Sequence, residues 1–120
     1  MDHMNLARKG ELEAEIFLSG KGYKILERRW YHRQKELDLI AFEEDNLVIV
    51  EVKTRRAPVL DDPAMAIDRK KQRNLVIAAN AYARYKRIPY EVGFDVIWVV
   101  YKGETATINH IRNAFVPVLW

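Results

Sequence analysis

The fold of this chain is decided by residues 46–53, whose sequence is Asn46-Leu47-Val48-Ile49-Val50-Glu51-Val52-Lys53. Their run of β-branched residues predicts a β-strand. A second strand is predicted just upstream, in the stretch Glu36-Leu37-Asp38-Leu39-Ile40-Ala41-Phe42. Both stretches carry apolar residues on both faces, which is typical of central strands that are covered on each side.

Three charged residues interrupt these two strands. Asp38 lies in the first strand, and Glu51 and Lys53 lie in the second. An unpaired charge in such a position costs on the order of several kcal/mol. A chain keeps charges there when they pair with one another, bind a metal ion or carry out chemistry.

The rest of the sequence predicts one α/β domain over residues 1–120, in the order α-β-β-β-α-β-β. Apolar periodicity predicts helices at residues 5–20 and from about 64 to 86, and strands at 23–33, 35–43, 46–53, 91–102 and 105–110. Residues 57–63 are predicted to form a loop with the position of a mobile flap. The tail 111–120 either packs on the core or forms a partner surface, and residues 1–3 resemble a remnant of cloning.

The composition excludes several classes of protein. Hydrophobic residues make up 49% of the 120 residues, which argues against disorder. No apolar run approaches the roughly 20 residues of a membrane span, and no signal-peptide pattern is present. The absence of cysteine excludes disulfides and cysteine-based zinc sites. We therefore expect a cytoplasmic protein that does not contact membranes.

The formal net charge is only +3, but the basic residues are clustered. Clusters lie at residues 28–33, 53–56, 69–73 and 84–87, whereas the acids fall elsewhere. Basic patches around an acidic centre suit the phosphate backbone of a nucleic acid. The alternative interpretation is that these clusters are solvated helix faces and loop ends.

The two acids and the lysine have the spacing of a metal site. Side chains of a strand alternate between faces, so Glu51 and Lys53 share one face. If the two strands pair antiparallel, Asp38 lies across from Glu51, and the two carboxylates then repel unless a cation lies between them. Mg²⁺ fits such a pair, with the backbone carbonyl of Val52 as a further ligand. Lys53 would stabilise the scissile phosphate or orient and deprotonate the attacking water.

The first predicted helix supplies a fourth candidate. Glu11 follows Gly10, where close backbone approach is allowed, and would reach the metal directly or through water. Glu15 lies one turn further along the same face. We favour Glu11, although helical geometry alone leaves both open.

These residues resemble the PD-(D/E)XK nuclease motif, and the wider pattern resembles the YraN-like family of small bacterial endonuclease-like proteins. The matching segments are Arg8-Lys9-Gly10-Glu11, Gly22-Tyr23-Lys24-Ile25-Leu26, Glu36-Leu37-Asp38-Leu39-Ile40-Ala41, Val50-Glu51-Val52-Lys53-Thr54-Arg55 and Phe94-Asp95-Val96-Ile97. The resemblance implies a restriction-endonuclease-like fold similar to archaeal Holliday-junction resolvases. It also implies an active site of Glu11, Asp38, Glu51 and Lys53.

The chain departs from the family pattern at two positions. Lys35 stands where the family usually has glycine, and Gly93 stands where it usually has arginine. Neither is a proposed metal ligand, so both departures bear on substrate contacts.

Several residues around the motif are candidate nucleic-acid contacts. Arg55 and Arg56 follow Lys53 directly, with a solvated loop as the alternative. Lys71 and Gln72 lie on the second predicted helix, where related nucleases place a lysine or glutamine facing the site. Asp95 begins an apolar strand, and we expect it to satisfy backbone groups or an arginine rather than to bind metal.

The leading hypothesis is a Mg²⁺-dependent nuclease, with Mn²⁺ as a substitute, that hydrolyses phosphodiester bonds of DNA, including branched or damaged DNA. A homodimer is expected by analogy, since cutting a symmetric junction requires two sites. Asp38, Glu51 and Lys53 as a neutral triad without metal is the structural alternative. The functional alternatives are a nucleic-acid-binding module that does not cleave, and a protein-interaction scaffold that uses the aromatic tail.

Overall fold

The computed structural model describes residues 3–62, 67–89 and 91–117. The elements are α1 (His3–Gly20), β1 (Lys24–His32), β2 (Lys35–Glu43), β3 (Asn46–Arg56), α2 (Arg69–Lys86), β4 (Val92–Lys102) and β5 (Thr105–Ile111). The five strands form one sheet in the order β1-β2-β3-β4-β5. Only β3 and β4 run parallel, and the other neighbouring pairs are antiparallel. The predicted α/β class, mixed sheet and element order are confirmed.

Helices cover the two faces of the sheet. Helix α1 buries Ala14 and Leu18 against one face, in a cluster that includes Val48 and Val50 of β3. Helix α2 covers the opposite face, in a cluster that includes Leu47 and Ile49 of the same strand. Alternate residues of β3 therefore enter opposite cores, which is why this strand is apolar on both faces.

The second helix begins later than the sequence pattern predicts. Ile67 and Asp68 lie outside α2, which begins at Arg69, and residues 64–66 lie outside the described residues. Asp68 has an extended backbone, and its carboxylate accepts from the Lys71 N–H at 2.8 Å. This side chain satisfies one of the amide groups that a helix start leaves unpaired, and it therefore fixes the first turn at this position.

The sheet splits between β2 and β3. Their pairing runs from Glu43–Asn46 to Leu39–Val50. Beyond that pair, β2 continues alongside β1 as far as Lys35, while β3 continues alongside β4 as far as Arg56. A cleft lined by both strands therefore opens at Asp38.

The side-chain alternation of β2 also changes at Asp38. Leu37 belongs to the core under α2, whereas Leu39, two residues on, belongs to the core under α1. Opposite them in β1, Arg29 has a left-handed backbone with φ of 51°. The regular alternation of a strand would place Leu37 and Leu39 on one face, so the irregularity turns Asp38 toward the cleft.

The described part of the tail packs on the sheet. Phe115 stacks on Phe94 with ring centroids 4.7 Å apart, whereas Val116 is exposed. The predicted core packing of the tail is confirmed for Phe115, and residues 118–120, like residues 1–2 and 63, lie outside the described residues. Within the described ranges, no helix has the length and apolarity to cross a membrane.

Candidate functional site

Asp38 lies at the centre of the cleft between β2 and β3. Its Oδ2 atom accepts from the Val52 N–H at 2.9 Å, so its side chain takes the place of a strand-to-strand hydrogen bond. The Glu51 carboxylate is a close neighbour of the Asp38 carboxyl group. The predicted juxtaposition of these two acids across the strands is therefore what the fold produces.

The environment of Asp38 disfavours its ionised form. Burial and the neighbouring Glu51 carboxylate together raise the pKa of Asp38 to about 8, against the opposing effect of the Val52 N–H. Glu11 raises the pKa further through its charge. A carboxyl group that is held neutral by other carboxylates is one that a cation would ionise, because the cation removes the repulsion that opposes its charge.

The two oxygens of Glu51 have different surroundings. Oε2 lies 3.6 Å from the Lys53 ammonium and 3.3 Å from the Lys71 ammonium. Oε1 is buried and has no hydrogen-bond partner within the described part of the chain. A buried acceptor without a partner costs about 1–3 kcal/mol. One oxygen of this carboxylate is thus shared by two lysines, whereas the other has no hydrogen-bond partner among the described residues.

A second group of acids meets at the α1 side of the cleft. Carboxylate oxygens of Glu11, Glu36 and Asp38 all lie within 4.8 Å of one another. At an effective dielectric constant near 20, two unit charges about 5 Å apart repel by about 3 kcal/mol. Glu11 is held there by the Arg29 Nε–H, which donates to its Oε1 at 2.8 Å.

Gly10 allows Glu11 to reach this position. A β-carbon on Gly10 would lie 1.9 Å from the Thr54 hydroxyl oxygen, so α1 touches β3 at this residue. The predicted close approach at Gly10 is confirmed. Glu15, the alternative to Glu11, pairs instead with the exposed Arg28.

The proposed nucleic-acid contacts have different surroundings. Lys71 reaches the site from the first turn of α2, but the Gln72 side chain donates to the Ile67 carbonyl at 3.1 Å and so closes the preceding loop. Arg55 lies on the same face of β3 as Lys53, where Asp61 holds it at 3.4 Å and the Trp98 ring lies beneath it at 5.3 Å. Arg56 is exposed at the end of β3.

Sequence reasoning missed Glu36 as a member of the acidic group. Its position two residues before Asp38 was the available signal, since residues i and i+2 of a strand share a face. It also missed a buried cluster around Asp95, whose Oδ2 lies 2.7 Å from His110 Nε2 and whose Oδ1 accepts from the Asn113 N–H at 3.1 Å. The expected contact of Asp95 with a backbone group is confirmed by the Asn113 N–H, and His110 is a partner that was not predicted.

Comparisons with known proteins give a consistent result. A family model described as uncharacterised protein family UPF0102 matches residues 10–99. A UPF0102 protein of Parabacteroides distasonis is 43% identical over 111 residues, or 92% of this chain and 92% of the relative. A UPF0102 protein of Phocaeicola vulgatus is 37% identical over 119 residues, or 99% and 98%. A third, from Syntrophomonas wolfei, is 44% identical over 107 residues, or 88% and 93%.

Proposed function

This chain belongs to the UPF0102 family, whose description assigns no reaction, and we propose from the cleft between β2 and β3 that it is a metal-dependent nuclease that hydrolyses phosphodiester bonds of DNA. The membership confirms the resemblance to the YraN-like family.

The proposal rests on one observation, which is that the two carboxylate oxygens of Glu51 have different surroundings. Two ammonium groups lie at Oε2, whereas the buried Oε1 has no partner among the described residues. Asp38 lies beside this carboxylate, and burial together with the Glu51 charge raises the pKa of Asp38 to about 8. These hard oxygen donors fit Mg²⁺, or Mn²⁺ in its place, with Glu11 and the Val52 carbonyl as further ligands.

The residues of the cleft would have different roles in hydrolysis. When bound, the ion would lower the pKa of a coordinated water and offset charge on the phosphate. Lys53 and Lys71 direct two positive charges to one point beside the metal ligands, where a scissile phosphate would be bound and held in line. Lys53, which lies two residues after Glu51 on β3, would also orient the attacking water.

The charges around the cleft support a nucleic-acid substrate, for which we propose DNA. Arg55 and Arg56 extend β3 beyond Lys53 and would contact phosphates that flank the scissile bond. Gln72, which holds the loop before α2, would act by placing Lys71 rather than by direct contact. The proposal has three further parts, each with its own measurement. They are branched or damaged DNA as the substrate, a homodimeric assembly and a cytoplasmic location.

The proposal is tested by cleavage of labelled DNA. Duplex, single-stranded and four-way-junction substrates would be incubated with the protein in Mg²⁺, in Mn²⁺ and in EDTA. We expect metal-dependent cleavage that falls about 100-fold or more in Asp38→Ala and Lys53→Ala. Lys24→Ala, which removes an exposed lysine at the start of β1 opposite Phe42, is the matched control and should leave the rate unchanged. Equal rates in all of these variants would exclude this active site.

A nucleic-acid-binding module is the second candidate function, and one observation favours it. Lys53 and Lys71 already neutralise one oxygen of Glu51, as a structural ion triad would. This candidate predicts salt-dependent DNA binding without turnover in any of the metal conditions. The scaffold hypothesis is weaker, because Phe115 of the proposed partner surface is packed against Phe94.

A further inference from the structure

Helix α2 carries more positive charge than the proposed mechanism uses. Its 18 residues include six arginines and lysines and no aspartate or glutamate. Of these six, the mechanism uses Lys71 alone, which lies at the cleft. The other five therefore have no part in the hydrolysis proposed above.

Most of this unused charge lies on the side of α2 that faces away from the sheet. The residues of α2 that are buried against the sheet are Leu75, Ala78, Ala79 and Tyr82. Opposite them, at alternating spacings of three and four residues, a stripe of exposed side chains consists of Lys70, Arg73, Ile77, Asn80, Arg84 and the C-cap residue Arg87. We call this stripe the outer face of α2. At 1.5 Å per residue it is about 26 Å long, and it begins next to Lys71 of the cleft.

The positive charge of the outer face is not balanced by acids of the same chain. Two basic side chains of α2 lie near acids, Lys71 at 3.3 Å from Glu51 and Lys86 at 3.8 Å from Glu27. Within residues 3–62, 67–89 and 91–117, the basic side chains on or beside the outer face that have no ion-pair partner are Arg69, Lys70, Arg84 and Arg87. The outer face therefore presents an excess of positive charge to solvent.

The positions of these charges oppose the stability of the helix itself. The first turn of α2 contains three cations and no acid, although the amide groups at a helix start disfavour positive charge. Lys70 and Arg73, three residues apart, also repel each other, as do Arg84 and Arg87. A bound polyanion would relieve both effects, which favours a ligand over a merely solvated face.

A groove lies at the far end of the outer face. This open cavity of about 660 Å³ is lined by Asn80, Ala83, Arg84, Arg87, Ile88 and Pro89. Helix α2 ends here because Arg87 has a left-handed backbone, and its N–H donates to the Ala83 and Arg84 carbonyls. Two guanidinium groups thus border one groove, and guanidinium geometry matches the oxygens of a phosphate.

We propose that the outer face of α2 binds the phosphate backbone of a duplex DNA arm that extends from the cleft to the groove at Arg84 and Arg87. This inference rests on the proposed function, because it takes DNA at the cleft as the ligand. Successive phosphates of one strand are about 3.4 Å apart along the duplex axis, so a face of about 26 Å corresponds to about eight base pairs. The substrate is then a duplex with at least one arm of this length beside the scissile bond.

The first test measures the affinity of the whole chain for a fluorescent 30-base-pair duplex in EDTA, across a salt series. Arg84→Gln combined with Arg87→Asn should weaken binding about tenfold and reduce the salt slope by about 1.8. Asparagine is chosen at position 87 because it tolerates the φ of 54° there. The control is Lys21→Gln combined with Arg112→Gln, which removes two exposed charges beside Phe17 and Tyr23 on the α1 side. Equal affinities for the wild type and both double variants would overturn the inference.

The second test uses the absence of cysteine from the chain. An iron–EDTA group on Asn80→Cys, in the middle of the outer face, should cut a bound duplex through hydroxyl radicals. The same group on Ser19→Cys, at an exposed position of α1, should not. Cutting by neither protein, or by both alike, would overturn the inference. This test decides the question if circular dichroism shows that the Arg84 and Arg87 double variant fails to fold.

The outcomes separate this inference from the proposed nuclease. Binding that depends on the outer face, without cleavage by the wild type in any metal, would retain the DNA-binding face and exclude the nuclease. Cleavage by a wild type whose affinity does not depend on the outer face would do the reverse. Poly-glutamate serves as a probe for an acidic protein partner. If the double variant loses affinity for poly-glutamate and keeps its affinity for DNA, the outer face binds an acidic protein and the inference is overturned.

Discussion

A β-carbon on Gly10 would lie 1.9 Å from the Thr54 hydroxyl oxygen and 2.8 Å from the Thr54 β-carbon. Helix α1 and strand β3 therefore meet at a point where only glycine fits. The contact lies one residue before Glu11 and one residue after Lys53, so it sets the distance between the helical acid and the strand that carries the other charges.

Replacement of Gly10 tests this contact. We expect Gly10→Ala to reduce the free energy of unfolding by about 2 kcal/mol. The steric cost of the added methyl group in the interface exceeds the stability gained from the higher helix propensity of alanine. Urea unfolding measures the difference. Gly20→Ala in the same helix has no heavy atom within 4 Å of the new methyl and should be neutral or slightly stabilising. Thr54→Gly combined with Gly10→Ala should restore part of the loss, and equal midpoints for both alanine variants would contradict the contact.

The neutral state of Asp38 predicts how stability depends on pH without metal. Its pKa rises from an ordinary 3.8 to about 8 in the folded protein, so between these values the folded state binds more protons than the unfolded state. The free energy of unfolding therefore falls as the pH rises from about 4 to about 8. Asp38→Asn cannot ionise, keeps an oxygen that can accept from the Val52 N–H, and should escape this loss.

Urea unfolding in EDTA at several pH values makes the comparison. Asp38→Asn should exceed the wild type by about 2 kcal/mol or more at pH 8, with the gap closing toward pH 4. Asp45→Asn, in the exposed turn between β2 and β3, is the control and should follow the wild type. If the wild type instead becomes more stable than Asp38→Asn as the pH rises, the surroundings of Asp38 stabilise its ionised form, which would contradict this prediction.

Arg55 is predicted to exchange Asp61 for a phosphate. The two Arg55–Asp61 contacts are both 3.4 Å, which is long for charged hydrogen bonds, and the pair is partly exposed. We expect Asp61→Asn to tighten DNA binding about threefold, and Arg55→Ala to weaken it and reduce the salt slope by about 0.9. Fluorescence anisotropy across a salt series measures both.

Matched variants exist for each of these changes. Glu104→Gln removes an exposed acid that pairs with Lys9, and Arg112→Ala removes an arginine that pairs with Glu43, both away from the cleft. Glu104→Gln should change DNA affinity less than Asp61→Asn does, and Arg112→Ala should change it less than Arg55→Ala does. If all four variants bind DNA alike, β3 beyond Lys53 does not form part of the nucleic-acid interface.

The cluster around Asp95 is predicted to serve stability alone. Lysine only donates hydrogen bonds, so the 3.2 Å contact from Lys21 makes His110 Nδ1 an acceptor and leaves the proton on Nε2, which donates to Asp95. Tyr23 and the Asn113 N–H also donate to Asp95. We expect Asp95→Ala to cost about 3 kcal/mol, because three donors lose their buried acceptor.

Chemical unfolding and a count of bound Mn²⁺ ions by electron paramagnetic resonance together test this role. Asp95→Ala should unfold at lower denaturant while binding as many ions as the wild type under native conditions. Glu91→Ala, an exposed acid just before β4, should change neither quantity. Loss of bound Mn²⁺ from a folded Asp95→Ala protein would assign Asp95 to the metal centre instead.

The strands were predictable because their signals are local. The β-branched run of β3 and the apolar stretch of β2 specify strands wherever the chain places them, and the short turn at residues 44–45 forces the two to pair as a hairpin. The start of α2 was predicted several residues too early, because apolar periodicity does not mark the point at which Asp68 caps the first turn.

The sequence by itself determined the α/β class, the order of the elements and the placement of Asp38, Glu51 and Lys53 on central strands, since alternation and β-propensity act between near neighbours. Only the tertiary structure decided which charges meet. Glu11 reaches the cleft because Gly10 lets α1 contact β3 closely, and Lys71 reaches Glu51 because α2 covers that face of the sheet. Glu36 and Asp38 converge with Glu11 because the sheet splits beyond Leu39, and His110 finds Asp95 across 15 residues of sequence. Such contacts depend on how packed elements fit together, which no short stretch of sequence records.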